Sequence, residues 1–226
     1  MSPTDATTPF AQIHADYARL EPGTSDTWNP LHCDVELRHR MVLLDQLVHA
    51  LRTARVDPTT TRVFDVGCGN GRSTRMYLDV GFEPDALTGV DLRAGALERA
   101  THLHPAITFA HYDGVRLPAE DASVDWVSTC TVFSSIGPAA DRRRLADEIT
   151  RVLRPGGHLF YWDLRTANDF AGGDLLDTKT LLPELDEVQR RPARIVGFEE
   201  REIDAGSTAH THLTDAPTHD GVLLRR

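Results

Sequence analysis

The run Val63-Phe64-Asp65-Val66-Gly67-Cys68-Gly69-Asn70-Gly71-Arg72-Ser73-Thr74 constrains this chain more than any other segment. An apolar strand delivers the backbone into a turn with glycine at every second position, and a helix-compatible stretch follows. Glycine permits positive φ and lets backbone come close to a ligand, and the start of a following helix offers free N–H groups. The spacing is G-x-G-x-G, distinct from the G-x-G-x-x-G of pyrophosphate binders. Asp65 stands two residues before the first glycine, where a carboxylate opposes a phosphate and suits a ligand that carries an ammonium. A second acid, Asp91, ends the apolar run Leu87-Thr88-Gly89-Val90. An acid at the end of a second strand accepts hydrogen bonds from ribose hydroxyls.

Around this motif, short apolar runs alternate with helical periodicity. The runs are 62–66, 86–90, 107–111, 124–130 and 158–162, and helical patterns lie between most of them, at 72–80, 94–102 and 139–152. A further helix is predicted over 36–55, with Leu37, Met41, Leu44, Val48 and Leu51 on its buried face. Continuous apolar strands separated by helices indicate an α/β fold, a doubly wound, mostly parallel sheet with helices on both faces and ligand at the carboxyl ends of the strands. Past residue 165 the pattern weakens: a short helix within 178–190, a sixth strand over 193–203, a loop over 205–220 and a final edge strand at 222–225 are expected. The chain divides into an N-terminal arm and lid (1–35) and one domain (36–226), whose cofactor-binding core spans 62–165 and whose acceptor-side part spans 166–226.

Composition narrows the partner. A formal net charge of −10, from 24 basic against 34 acidic residues, opposes nucleic acid and anionic membrane, which need a basic footprint. A small molecule is therefore the expected partner. Lys179 is the single lysine, and the arginines scatter along the whole chain. Cys33, Cys68 and Cys130 form neither a disulfide framework nor a zinc ribbon, and no basic leader or long apolar run is visible, so a reducing cytoplasm is expected. Nothing in the sequence sets the oligomeric state.

Taken in order, the motifs resemble those of class I S-adenosylmethionine-dependent methyltransferases, specifically the type-11-like group, over roughly 62–165. The resemblance implies a Rossmann-like methyltransferase fold and S-adenosylmethionine as cofactor, with S-adenosylhomocysteine as product. It implies that Asp65, Gly67, Cys68 and Gly69 surround the methionine part, that Asp91 holds the ribose, and that Leu92 lies against adenine. Tyr112-Asp113-Gly114 is similar to the family's adenine-reading position, Asp113 accepting from the exocyclic amine and Gly114 making room. Thr129, Cys130 and Thr131 are implied near the sulfonium, with Cys68 a packing residue. Leu117–Val127 and Val152–Gly157 resemble the family's approaches to strands four and five. Thr131–Ile136 and Tyr161–Arg165 resemble a subgroup suited to small-molecule or carbohydrate tailoring.

Methyl transfer from a sulfonium is an in-line displacement that needs proximity above all, and a base only where the acceptor must lose a proton. The expected activity is transfer to a hydroxyl, less readily an amine, of a small metabolite, sugar or natural product. Asp163 and Arg165, on one side of the fifth strand's end, form a candidate pair for orienting a polar acceptor, with a purely structural Asp163 the alternative. His32 is a candidate base. Trp28, Phe133 and Ser134 are candidates for the acceptor wall, although Trp28 and Phe133 also suit packing. The pairs His102/His104 and His210/His212 have no carboxylates at ligand spacing, so no metal is expected. Two alternatives stay open: the same fold using this cofactor for cyclisation, decarboxylation or aminopropyl transfer, and a noncatalytic binding module.

Overall fold

A computed structural model describes residues 10, 11, 13, 15, 34–165, 176–195 and 217–226. Helix α1 (Asp34–Thr53) leads into strand β1 (Val63–Val66). A 3-10 helix (Thr74–Val80), β2 (Leu87–Asp91), α2 (Ala94–Leu103), β3 (Thr108–His111) and β4 (Val124–Cys130) follow. A 3-10 turn (Phe133–Ser135), α3 (Ala139–Val152), β5 (Leu153–Leu164), α4 (Thr178–Leu181), β6 (Asp186–Ala193) and β7 (His219–Arg225) complete the order. The strands form one sheet in the order β3-β2-β1-β4-β5-β7-β6. Strands β1 to β5 are parallel, and β7 runs antiparallel to both neighbours. The order reverses at β1, so a crevice opens at the carboxyl ends of β1 and β4, where α/β sheets take their ligands.

Alternation along the strands sends side chains to two cores. On one face Leu43, Leu47 and Leu51 of α1 pack with Tyr77, Trp126, Phe160, Trp162 and Leu223. On the other, Leu145 and Ile149 of α3 pack with Val66, Val127, Tyr161 and Val222. The expected fold class thus stands, with helices on both faces.

Four local expectations change. The buried face of α1 carries Leu43, Leu47, Ala50 and Leu51, while Leu37 and Met41 are 46% and 65% exposed. Apolar residues encircle this helix, and the sheet selects the stripe that includes Leu43 and Leu47. Residues 74–80 form a 3-10 helix, closed by Gly81 at φ 95. The predicted helix within 178–190 is one turn, Thr178–Leu181, after which Asp186–Ala193 is a strand. The predicted edge strand at 222–225 lies between β5 and β6. Strand β6 reads Asp-Glu-Val-Gln-Arg-Arg-Pro-Ala and takes the edge itself, where charge and proline are tolerated.

Candidate functional site

The glycine turn is held from three directions. Gly67 and Cys68 donate their N–H groups to the Val90 carbonyl, at 2.7 and 3.0 Å. Gly69 donates to Asp91 Oδ2 at 2.8 Å. Beneath the turn, fully buried Asp65 accepts from Ser73 and Thr74 through Oδ2, at 2.7 and 2.6 Å, and from Ser128 through Oδ1, at 2.8 Å. Burial raises the Asp65 carboxyl above its ordinary value, and the three hydroxyls oppose that rise. The contacts of Asp65 order the loop: the carboxylate ties the end of β1 to β4 and to the segment after the glycines. Gly67 sits at φ +74, and a Cβ there would lie 2.5 Å from Val132, so both conformation and space require glycine.

Asp91 is buried at the end of β2. Besides Gly69, it accepts from the Arg93 N–H at 2.9 Å and Arg93 Nε at 3.2 Å, both on Oδ1. Each carboxylate oxygen offers two acceptor sites, so Oδ2 retains one. A cleft opens beside it, lined by Gly67, Asp91, Leu92 and Thr131 among the expected residues. Arg93, Tyr112, Val132 and Ser135 also line it, as do Phe10 and Ile13 from the N-terminal segment. The Phe10 N–H donates to Asp141 Oδ2 at 3.0 Å, and its ring meets Tyr112 edge-on at 5.9 Å. The enclosed space is about 70 Å³, well below the roughly 300–1,000 Å³ of small-molecule sites. A nucleoside-sized ligand therefore requires lining residues to move, and Phe10 and Ile13 are among the lining. Thr131 stands at φ 56, a conformation that β-branched residues rarely adopt. Such strain is held by surrounding structure and gathers at functional sites; here Thr131 donates its N–H to the Trp162 carbonyl at 2.7 Å.

Other expected cofactor residues stand away from this cleft. Cys68 is buried with Sγ toward Gly89, and burial raises its thiol far above the ordinary value, in keeping with packing. Cys130 is likewise raised by burial, and it packs on the α1 face. Thr129 is fully buried, and its hydroxyl has no partner. Asp113 is exposed, its Oδ1 accepting from the Val115 and Arg116 N–H groups at 2.8 and 2.9 Å, which hold the carboxyl below its ordinary value. Gly114 follows at φ 82 within that turn.

The expected Asp163–Arg165 pair does not form. Asp163 is fully buried and accepts from the Phe133 and Leu164 N–H groups at 2.8 and 2.9 Å and from Ser134 N–H at 3.4 Å. It thereby pins the turn after β4 to the end of β5. Burial pushes its carboxyl up to about 6, against these hydrogen bonds. Arg165, 44% exposed, leans instead toward Asp220 Oδ2 at 3.6 Å. Phe133 and Ser134 are fully buried, the Phe133 ring 5.7 Å from that of Tyr161, so they lie inside the fold and not on an open wall. Trp28, His32 and the His210/His212 pair lie outside the described residues. Among the described residues, no group of three or more His, Cys, Asp or Glu is arranged to hold a metal ion.

Sequence reasoning missed Arg93 at the cleft, named Tyr112 only as part of the 112–114 motif, and expected a lid from the arm 1–35 without singling out Phe10 or Ile13. It also missed the link from Arg72, just past the last glycine, to buried Glu36 of α1 at 3.6 Å. A buried acid in an apolar helix was the available signal for that link, since such a group needs a partner.

Comparison with known proteins agrees with this arrangement. Residues 64–161 match the model of the methyltransferase domain of the type-11 group. A phthiotriol/phenolphthiotriol dimycocerosates methyltransferase from Mycobacterium ulcerans is 37% identical over 128 residues, 53% of this chain and 44% of that protein. The protein of the same description from Mycobacterium tuberculosis is 36% identical over 141 residues, 61% of this chain and 51% of its own. A fatty-acid O-methyltransferase from Mycolicibacterium smegmatis is 35% identical over 126 residues, 55% of this chain and 44% of its own. The matched region thus spans about half the length of these relatives. Among solved structures, the N-methyltransferase NodS of Bradyrhizobium japonicum, in complex with S-adenosyl-L-homocysteine, superposes with a TM-score of 0.66. It is 18% identical and covers 95% of this chain and 98% of its own. That likeness speaks for the fold.

Proposed function

Residues 64–161 are a class I S-adenosylmethionine-dependent methyltransferase domain of the type-11 group, and on that premise we propose that the chain methylates a hydroxyl of a small, lipid-like acceptor. The observation that carries the reading is the cradle at the ends of β1 and β2. There Gly67 leaves no room for a side chain, and buried Asp91 keeps an acceptor site beside the cleft. Those features fit S-adenosylmethionine, which supplies, when bound, a methyl group on an already activated sulfonium.

The chain's own residues then have three tasks. Asp91 accepts from ribose hydroxyls, and Leu92 and Tyr112 wall the adenine end. Asp65 keeps the glycine backbone rigid under the methionine part, and Thr131 borders the reacting centre. Phe10 and Ile13, moving off and back, cover the bound molecule and exclude water. Asp163 acts as a positioning residue: with its oxygens committed to backbone N–H groups it shapes the turn after β4. Arg165 stands at the rim as an acceptor-orienting group, and His32 is the proposed base.

Relatives named for phthiotriol and fatty-acid methylation support a lipid-like acceptor, and the net charge of −10 speaks against a polyanionic one. No helix among the described residues is long and apolar enough to cross a membrane. Calorimetry with S-adenosylhomocysteine, followed by assay of S-adenosylhomocysteine formed from S-adenosylmethionine and long-chain alcohols, tests the reading. Saturable binding and alcohol-dependent product are expected; a folded chain that binds neither cofactor form removes it.

A further inference from the structure

A second cavity, of about 380 Å³, lies at the opposite edge of the sheet from the cofactor cleft, within the roughly 300–1,000 Å³ of small-molecule sites. Its apolar wall comes from Val48 and Leu51 in the last turns of α1, Val56 and Pro58 in the turn that follows, and Val80 and Phe82 ahead of β2. Strand β1 begins at Val63 and β2 at Leu87, so this groove stands at their amino ends, whereas Gly67 and Asp91 mark their carboxyl ends.

Two guanidiniums complete the lining, those of Arg52 and Arg55. Both residues are exposed, and among the described residues neither side chain has a hydrogen bond or an ion pair. Of the acids nearby in sequence, Asp57 accepts through Oδ1 from the Thr59 N–H and hydroxyl, at 2.9 and 2.7 Å, and Asp79 and Glu83 pair with neither arginine. Arg55 is held there against its backbone preference. Helix α1 ends in a Schellman motif, with the Val56 N–H on the Leu51 carbonyl at 3.0 Å and the Arg55 N–H on the Arg52 carbonyl at 3.1 Å. Arg55 thereby takes the left-handed position, φ 54, that usually belongs to glycine. Glycine would close the helix at least as well, so what the arginine adds is a charge at the mouth of the groove. The same bonds, with the Ala54 N–H on the Ala50 carbonyl at 3.0 Å, answer the last helix carbonyls, whose partial negative charge would otherwise oppose an anion.

Shape and charge together select the occupant. The apolar wall takes an alkyl chain, and two unpaired guanidiniums take an anionic head, a carboxylate matching the planar fork. An ammonium is repelled, an alcohol leaves the charges unanswered, and the net charge of −10 opposes a dianionic phosphate head. We propose that this groove is a binding site for a fatty carboxylate, its head between Arg52 and Arg55 and its tail along Val48, Leu51 and Phe82, separate from the cofactor and the acceptor.

The test uses the full chain near neutral pH without cofactor and four probes of one chain length, decanoate, decanol, decylamine and decyl phosphate, each below its micelle concentration. Calorimetry or ligand-observed NMR is expected to give saturable binding of decanoate, with the other three at least ~10-fold weaker. Arg55→Gly suits the local backbone, so it should keep or raise the melting temperature while lowering decanoate affinity, a split that a purely structural arginine would not give. Adding Arg52→Gln should bring the loss to about 10-fold or more, and Val48→Glu, which sets a like charge on the wall, should weaken decanoate as well. No saturable binding of decanoate, equal or tighter binding of any other probe, or decanoate affinity unchanged in the folded Arg55→Gly or doubly substituted chain each overturns the proposal.

Discussion

The two halves of the sheet's carboxyl edge handle buried charge in opposite ways. At β1 and β2 each acid is answered within the chain: Asp65 by three hydroxyls, Asp91 by Gly69 and Arg93. At β5 and β7 the carboxylates Asp163 and Asp220 stand opposite one another, and Thr129, Tyr161 and Asp220 keep unpaired oxygens. A site built for one invariant nucleoside ligand gains from rigidity, since a preorganised loop loses little entropy on binding. The contrast is one of degree, because the cofactor cleft also holds an unpaired polar atom, the Tyr112 hydroxyl.

The comparison breaks most readily at Gly67. Gly67→Val puts a β-branched residue at φ +74 against Val132, and should lower S-adenosylhomocysteine affinity by more than ~100-fold in calorimetry. A folded variant with near-normal affinity would show that the loop is not rigid. Next, Asp91→Ala removes the carboxylate that holds Gly69 and faces the cleft. The loss expected for a charge-assisted hydrogen bond is about 1.5–3 kcal/mol, roughly 10- to 150-fold in affinity, and a loss under about threefold would take Asp91 out of the binding surface.

The smallest effect concerns Asp163 and is read as stability. Its carboxyl is raised from the ordinary 3.8 to about 6 by burial, so the native state holds the proton more tightly than the unfolded chain does. Stability from this group is fully present below about pH 4 and is lost as pH rises through about 6. Asp163→Asn stays neutral throughout, so urea midpoints should show wild type losing stability relative to the variant between pH 4 and 6. A difference independent of pH would mean that Asp163 is not charged against its surroundings.

How much of this was legible in the sequence follows the same division. Strands β1 to β4 lie within a residue or so of the apolar runs that announce them, because a parallel strand buried on both faces must be apolar throughout. The glycine loop and Asp91 were legible because backbone approach and strand-end acids leave a residue-specific trace. Strand β6 left none: an edge strand reading Asp-Glu-Val-Gln-Arg-Arg-Pro-Ala has no alternation to find, and its pairing with β7 is a long-range fact. The role of Asp163 was ambiguous for a related reason, since a carboxylate that accepts from distant N–H groups looks, in sequence, like one that serves a substrate. Phe10, 131 residues from its partner Asp141, illustrates the same limit.

Strand β7 lies between β5 and β6 and, among the described residues, is the only strand to which β6 pairs. This arrangement imposes an order on disassembly. Strand β6 can peel away while β7 stays on the central sheet, but β7 cannot leave β5 without severing β6 from the rest of the sheet. Partial opening of this edge is thus nested: the amides of β6 become accessible at or before those of β7. The unpaired oxygen of Asp220, on the inner of the two strands, is the more durably shielded.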